Sequence, residues 1–437
     1  HALVDRVRGN LFFVPMLFIV GAVFVGEATL LVDEALSDRA SLPLVSEATV
    51  DNARAVLSTV ATATVTIAGI AFSVSLLVIQ LASSQYSPRV VHNLVRVPFS
   101  KRVMGIVLAT FTYCLVVLRP VRGPLDEGGD PGVPTISLTV AAVLGIVAVL
   151  AIVAFINHRA HSMDISQLLH QVTGASLRAT AASWPDRSDP VAARAQVATT
   201  DPPSGDGLAV AFAENGWIQQ IEADDLLDLV PPGGTVQVHT AVGRYAVADT
   251  PLCTLWPRPP DDRRDRAVTE ARAAVLVGPT RTMLQDASYG VRQLVDVALR
   301  ALSPGVNDPT TAQDAIFHLA AVLREILERP EPPRVRVDDA GRRLLRPELP
   351  THRSVIGLAF DELRPVAATQ PTVCIYLLEA MHLLCESLPT SPDTGVVAAL
   401  EEQARLVVEA CDAADLIDHD RQRVREAYER RFGSSVA

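Results

Sequence analysis

The sequence predicts an α-helical membrane protein with four transmembrane helices, followed by a cytoplasmic α+β region in which a small β module precedes a mainly helical domain. Two observations lead there. The mean hydropathy is +0.27 and only 20% of residues are charged, below the ~25% of an ordinary soluble domain, and the apolar excess lies in the first 156 residues. Beyond it the apolar pattern changes to period two and then to helical spacing, as in a domain that packs in water. A chain of 437 residues has room for two or three domains. The expected divisions are a transmembrane domain over 1–160, a juxtamembrane helix and linker over 161–204, the β module over 205–260 and the helical domain over 261–437.

Leu11 to Val32, Ala55 to Ser84, Val103 to Leu118 and Ile136 to Ile156 are the four apolar runs. A bilayer core ~30 Å thick needs ~20 residues of helix, and the third run reaches that length by taking in Arg102 or Arg119 as snorkelling ends. The first is longer than a signal-peptide core and is followed by no small-residue cleavage pattern. Basic residues set the orientation. Arg6, Arg8, Arg89, Arg96, Lys101, Arg102 and Arg159 flank one side, whereas the first connection carries Asp33, Glu34, Asp38, Glu47 and Asp51, and the third is mixed. The positive-inside rule places both termini and everything after Ile156 of this multi-pass protein in the cytoplasm.

The second run is unusual. At helical spacing Thr59, Thr62, Thr66, Gly69, Ser73, Gln80, Ser84 and Ser87 form one polar stripe, interrupted by Leu76 and Leu77. From Asp51 to Tyr86 nothing breaks the helix, which gives about 50 Å, more than the hydrocarbon core requires. Small polar residues let helices approach closely. The same residues, repeated around an axis, line a water-filled path with a hydrophobic constriction at Leu76 and Leu77. The pore-lining candidates are therefore Thr62, Thr66, Gly69, Ser73, Leu76, Leu77, Gln80 and Ser84.

After the membrane, "NHRAHSMDISQLLHQVTGASLRATAAS" reads as a continuing helix with a solvated face, ended at Trp184 and Pro185. His158, His161 and His170 with Asp164 do not keep to one helical face, so no metal site is expected. "GWIQQIE" alternates as a strand, "ADDLLDLV" is a short helical turn, and "TVQVHTAVGRYAVADTPLCTLW" gives two or three strands broken at Gly243 and at Asp249 to Pro251. A module of about 50 residues is too small for a large core of its own. The charged linker "PRPPDDRRDR" follows. "MLQDASYGVRQLVDVALRAL" is an amphipathic helix with Leu284, Val291, Leu294, Val295, Ala298 and Leu302 on one face. Asp308 is the expected N-cap of the next helix, with Pro309 at its first position. "RVRVDDAGRRLL" is a hairpin, and helices over Val355 to Leu363, Thr372 to Leu388 and Thr394 to Arg430 complete the chain.

Composition also excludes. Lys101 is the sole lysine, so a P-loop and a Schiff-base lysine are both out of reach. The 5 cysteines form no CxxC pair, and Cys374 and Cys385 read as small core residues. There is no GxSxG, HExxH or GxGxxG, so no enzyme and no cofactor is expected. A net charge of −11 disfavours nucleic acid.

Taken together, "FSVSLLVIQLASSQYSPRVV", "GWIQQIE" and "RTMLQDASYGVRQLVDVALRALSPGVNDPTTA", after four membrane helices, resemble the bacterial membrane-protein family known as domain of unknown function 2254. The likeness runs from Asn10 to Leu388 and implies a bacterial inner-membrane location without an activity. Within it, Arg281, Gln285, Asp286, Arg292, Asp296, Arg300, Asn307 and Asp308 crowd polar groups around one helix and its end. One reading makes Arg300 and the amides opening the Asp308 helix a pocket for a small anionic ligand. The other makes these residues caps, turns and structural or inter-subunit salt bridges. The function expected is a homo-oligomeric channel or conduit lined by the second transmembrane helix, with a cytoplasmic regulatory vestibule. The alternative is a non-conducting membrane-anchored sensor or scaffold that binds a ligand or protein partner through its cytoplasmic domain. The expected partners are the lipid bilayer, further copies of the chain, and ions or a small anion.

Overall fold

The computed structural model describes residues 13–37, 50–85, 98–121, 134–161, 165–186, 201–388 and 394–433. Arg6, Arg8, Asp38, Glu47, Ser87, Arg89, Arg96 and Asp164 lie outside them, as do the side chains of Ser84, His158, Arg159 and His161. The chain divides into two units, His1–Asp164 and Ile165–Ala437.

The first unit is helical. Its elements are α1 (Phe13–Ser37), α2 (Val50–Gln85), α3 (Pro98–Leu118) and α4 (Thr135–His161), and each holds a stretch long and apolar enough to cross a membrane. Helix is the form such residues take, because every backbone N–H inside it finds a carbonyl four residues back. α3 packs against all three of the others, and small residues let it do so. A Cβ on Gly105 would meet the Phe18 ring at 2.9 Å, and one on Gly26 of α1 would meet Val116 of α3 at 2.8 Å. Tyr113, Cys114 and Val117 of α3 join Leu57 and Ala61 of α2 and Ala141 of α4 in the core.

One end of this bundle is tied by polar bonds. Pro134 precedes α4 and has no side-chain acceptor to offer its amides. Asp33 of α1 does so instead, accepting from Ile136 N at 2.9 Å, Ser137 N at 2.9 Å and the Ser137 hydroxyl at 2.6 Å. The buried Tyr113 hydroxyl donates to Ser137 O at 3.1 Å and lies 2.9 Å from Thr29 Oγ1. Arg54 of α2 donates to Val121 O, at 2.9 Å from Nη2.

The second unit mixes sheet and helix. It opens with α5 (Ile165–Ser183) and continues with β1 (Leu208–Ala211), β2 (Gly216–Ile221), α6 (Ala223–Leu227), β3 (Thr235–Val238), β4 (Tyr245–Ala246), β5 (Pro251–Trp256), α7 (Asp261–Ala273) and β6 (Val275–Gly278). There follow α8 (Ala287–Ala301), α9 (Pro309–Glu328), β7 (Val335–Val337), β8 (Arg343–Leu345), α10 (His352–Phe360), α11 (Leu363–Ala367), α12 (Pro371–Ser387), α13 (Thr394–Ala413) and α14 (Asp418–Phe432). One sheet has the order β1-β5-β3-β8-β7, with β3 and β8 parallel; the other has β4-β2-β6. The sheets thus take strands from beyond 205–260. β6 pairs with β2, and the β7–β8 hairpin adds to β3, which supplies the core that a 50-residue module lacks. The stretch expected as a charged linker instead contributes most of the first turns of α7, whose Ala267 and Ala271 are buried against the sheet core.

α5 has a solvated face that carries the exposed His170, and its other face is buried: Leu168, Leu169, Val172, Thr173, Ser176, Ala179 and Thr180 pack on α8 and α9. Two further expectations are corrected. α8 begins at Ala287, so Leu284 lies before it and is exposed. The last helix is two, α13 and α14. Cys374 is buried, whereas Cys385 is only partly so.

Removing the carboxylate that caps α4 leaves two amides and a hydroxyl without their acceptor. Asp33→Ala is expected to cost about 1–2 kcal/mol, the usual loss for a helix cap, read as a lower thermal midpoint of the full chain in detergent. An unchanged midpoint would show that the bond contributes nothing to the bundle.

Candidate functional site

The candidate residues separate into four places. In the first unit, α2 runs unbroken for 36 residues, about 54 Å at 1.5 Å per residue. Its packed face is Ala53, Leu57, Ala61 and the buried Thr64, continued by Ile67, Ala68 and Ala71. At 100° per residue, Thr59, Thr62, Thr66, Gly69, Ser73 and Gln80 lie about 180° from that face, and each is exposed. Leu76 and Leu77 share the same side, 50% and 55% exposed. Nothing lies within 4 Å of a Cβ built on Gly69, unlike Gly26 and Gly105, which serve packing inside the unit. Val65, Phe72 and Val74 are exposed on the flanks of this side. Thr66 Oγ1 donates back to Thr62 O at 2.8 Å and Ser73 Oγ to Gly69 O at 2.9 Å, so these hydroxyl protons are satisfied within the helix.

The second place is the start of α8. Asp286, its side chain only 4% exposed, accepts from Tyr289 N at 3.0 Å as N-cap and from Arg281 Nε at 2.6 Å. The Arg281 guanidinium lies 5.0 Å from the Tyr289 ring centre and 6.0 Å from that of Trp217, which meets Tyr245 edge-on at 5.4 Å. Gly243 has φ +83, and a Cβ there would overlap Asp286 Oδ2 and come within 2.9 Å of Arg281 Nη2. Gln285 accepts from Ile221 N at 3.0 Å. Arg281, Gln285 and Asp286 therefore bind the β2 sheet to α8. Trp217, Tyr245 and Gly243 belong to this cluster but were absent from the sequence expectation; the alternation of "GWIQQIE" and the single glycine in "AVGRYA" were the available signals.

The remaining candidates stand apart. Arg292, within α8, pairs with Asp296 at 2.8 Å and with Glu362. Hydrogen bonding to Glu362 is the main reason that its pKa is raised. Arg300 is exposed in the last turn of α8. Asn307 holds φ +48 just before α9, where Asp308 accepts from Thr310 N and Thr311 N at 3.1 Å and from the Thr311 hydroxyl at 2.7 Å. These bonds, the Thr311 hydroxyl foremost, hold the Asp308 carboxyl below its ordinary 3.8. The amides that open α9 are thus bonded to the chain's own carboxylate, the arrangement of a helix cap.

Residues 8–383 match the family described as "Predicted membrane protein (DUF2254)". The chain belongs to the DUF2254 family. Among relatives of this DUF2254 chain are "Uncharacterized protein Rv1290c" of Mycobacterium tuberculosis and "Uncharacterized protein Mb1321c" of Mycobacterium bovis. Each is 30% identical over 388 residues, 87% of this chain and 72% of the relative. No solved structure matches it.

A DUF2254 feature outside every expectation is the α5–α9 contact. His170 and His318 meet edge-on with ring centres 4.9 Å apart, and Thr173 Oγ1 lies 2.9 Å from His318 Nδ1. Burial first, then the charge of His170, push His318 below its ordinary 6.5, while Asp314 opposes them. With a depressed folded pKa, the unfolded chain binds the proton first, so stability rises with pH through this window. Protein melted at pH 8 and again at pH 5 should lose part of its midpoint at the lower pH, and His318→Gln should shrink that loss. An equal loss in the variant would remove His318 from the pH response.

Proposed function

We propose that this DUF2254 protein is a multi-pass bacterial inner-membrane protein with both termini cytoplasmic, assembled as a closed homo-oligomer whose axis is lined by α2. The observation that carries the reading is the polar face of α2 opposite its packed face, with Gly69, Ser73, Leu76, Leu77 and Gln80 all exposed. In hydrocarbon that face is the costly one to leave outward, because a lipid-facing amide such as that of Gln80 finds no partner. Copies of the chain arranged with α2 inward remove the cost and leave hydroxyl and amide oxygens along a path, narrowed by apolar side chains at Leu76 and Leu77. The second unit then stands as a cytoplasmic vestibule that regulates passage.

One observation favours the alternative of a non-conducting scaffold or sensor. The Thr66 and Ser73 hydroxyls donate back to their own helix, so a dry seam between copies would satisfy them as well as water. The two readings separate in reconstituted protein. For a path, Leu77→Ser hydrates the constriction and raises leak above wild type, and cysteines placed at Ser73 and Gln80 react with polar thiol reagents. For a seam, flux stays at background, both cysteines stay unreactive, and the variant changes only assembly, followed by native mass spectrometry. A monomer at all concentrations would end both oligomeric readings.

The orientation has its own check. Reporter fusions after Arg8, Lys101 and Arg159 should report cytoplasm, and fusions near Ser41 and Gly128 the outside, because basic residues collect on the cytoplasmic side. A periplasmic report after Arg159 would reverse the second unit's location.

A further inference from the structure

The β7–β8 hairpin is rich in arginine, and all but one of the arginines with described side-chain bonds meet an acid or a side-chain hydroxyl. Arg336 pairs with Asp224 at 2.6 Å, Arg342 with Asp228 at 2.7 Å and with Asp338, and Arg343 donates to the Thr235 hydroxyl at 3.1 Å. Arg346, one residue past β8, differs. Its backbone N–H extends the ladder to Arg334 O at 2.7 Å, which fixes the residue, yet its guanidinium makes one described bond, from Nη2 to Pro333 O at 3.2 Å. Nε is buried with no acceptor among the described residues.

An arginine cannot relieve burial by shedding its proton at neutral pH, as a lysine can. Burial, and then the like charge of Arg336, push Arg346 down to about 10, so it still carries its charge at pH 7. The fold thus holds a partly buried cation whose buried Nε has no acceptor among the described residues, with a second guanidinium close by. Buried charges are ordinarily paired. The missing partner is an anion.

We propose that Arg346 anchors a binding site for a phosphate-like oxyanion at the open end of the β7–β8 hairpin, with Arg336 adding positive charge. A planar guanidinium with unused N–H groups matches the oxygens of a phosphoryl group. The shared chemistry is a phosphate, free or carried on a lipid headgroup. The site is distinct from the Arg300 and Asp308 region, and it does not depend on whether the protein conducts.

The test is thermal unfolding of the full chain in detergent at constant ionic strength, with chloride replaced in steps by inorganic phosphate, or with a short-chain phosphatidic acid added. The midpoint of the wild type should rise saturably with one or both phosphates. A response to inorganic phosphate identifies a free anion, and a response to the lipid alone identifies a headgroup. Arg346→Leu should abolish the rise. Arg346→Lys, which keeps the charge and loses the planar fork, should weaken the apparent affinity about tenfold, and it carries the test if the leucine variant does not fold. No saturable rise in the wild type, or an equal rise in the variants, would overturn the proposal.

Discussion

Asp286 is the carboxylate on which the second unit turns. Its two oxygens do different work, one closing the first turn of α8 and the other holding Arg281. Taking such a pair out of water is costly, and the surroundings are shaped to it. Gly243 leaves room for the carboxylate by having no Cβ, and the rings of Trp217 and Tyr289 lie close to the guanidinium. Because Trp217 is on β2 and Tyr289 on α8, one ion pair sets the sheet against the helix. α8 in turn packs on α5, α9, α10 and α11. The position of the helical core therefore follows from a bond at its edge.

Much of this was legible, and the parts that were not have physical reasons. The four apolar helices and the cap at Asp308 are local: a run of residues or a single side chain decides them. The role of α5 is different. Its inward face includes Thr173, Ser176 and Thr180, which a hydropathy reading scores as solvent-facing, although Thr180 and Ser176 bond back to carbonyls four residues earlier and so enter a core cheaply. β6 was hidden because "AVLVG" is short and sits between helices. What makes it a strand is the partner β2, more than 50 residues away in sequence. The residues from Arg281 to Asp308 are spread out for a simpler reason. A 15-residue helix is about 22 Å long, so residues at its two ends share a sequence motif without sharing a site.

The first unit repeats the lesson with its polar groups. Asp33 caps a helix that is not its own, a contact across more than 100 residues that no local pattern announces. Its consequence is that the bonds tying α1, α3 and α4 collect at the end of the bundle where α2 begins, along with the Arg54 bond to Val121 O. That end is fixed by charge and hydrogen bonds. Further along, α2 touches its neighbours through alanines and other apolar side chains.

The contrast bears on how α2 is to be understood. Helices of this unit that need close approach use Gly26 and Gly105, and both are filled against by a neighbour's side chain. Gly69 lies on the same kind of helix with nothing against it, in the middle of the polar face. At about 54 Å, α2 is also longer than the ~30 Å that a hydrocarbon core requires. α2 buries Ala53, Leu57, Ala61 and Thr64 and presents Thr59, Thr62, Thr66, Ser73 and Gln80 on the opposite side, together with Leu76 and Leu77. Among the described residues, the polarity of this α2 face is not used in packing the first unit.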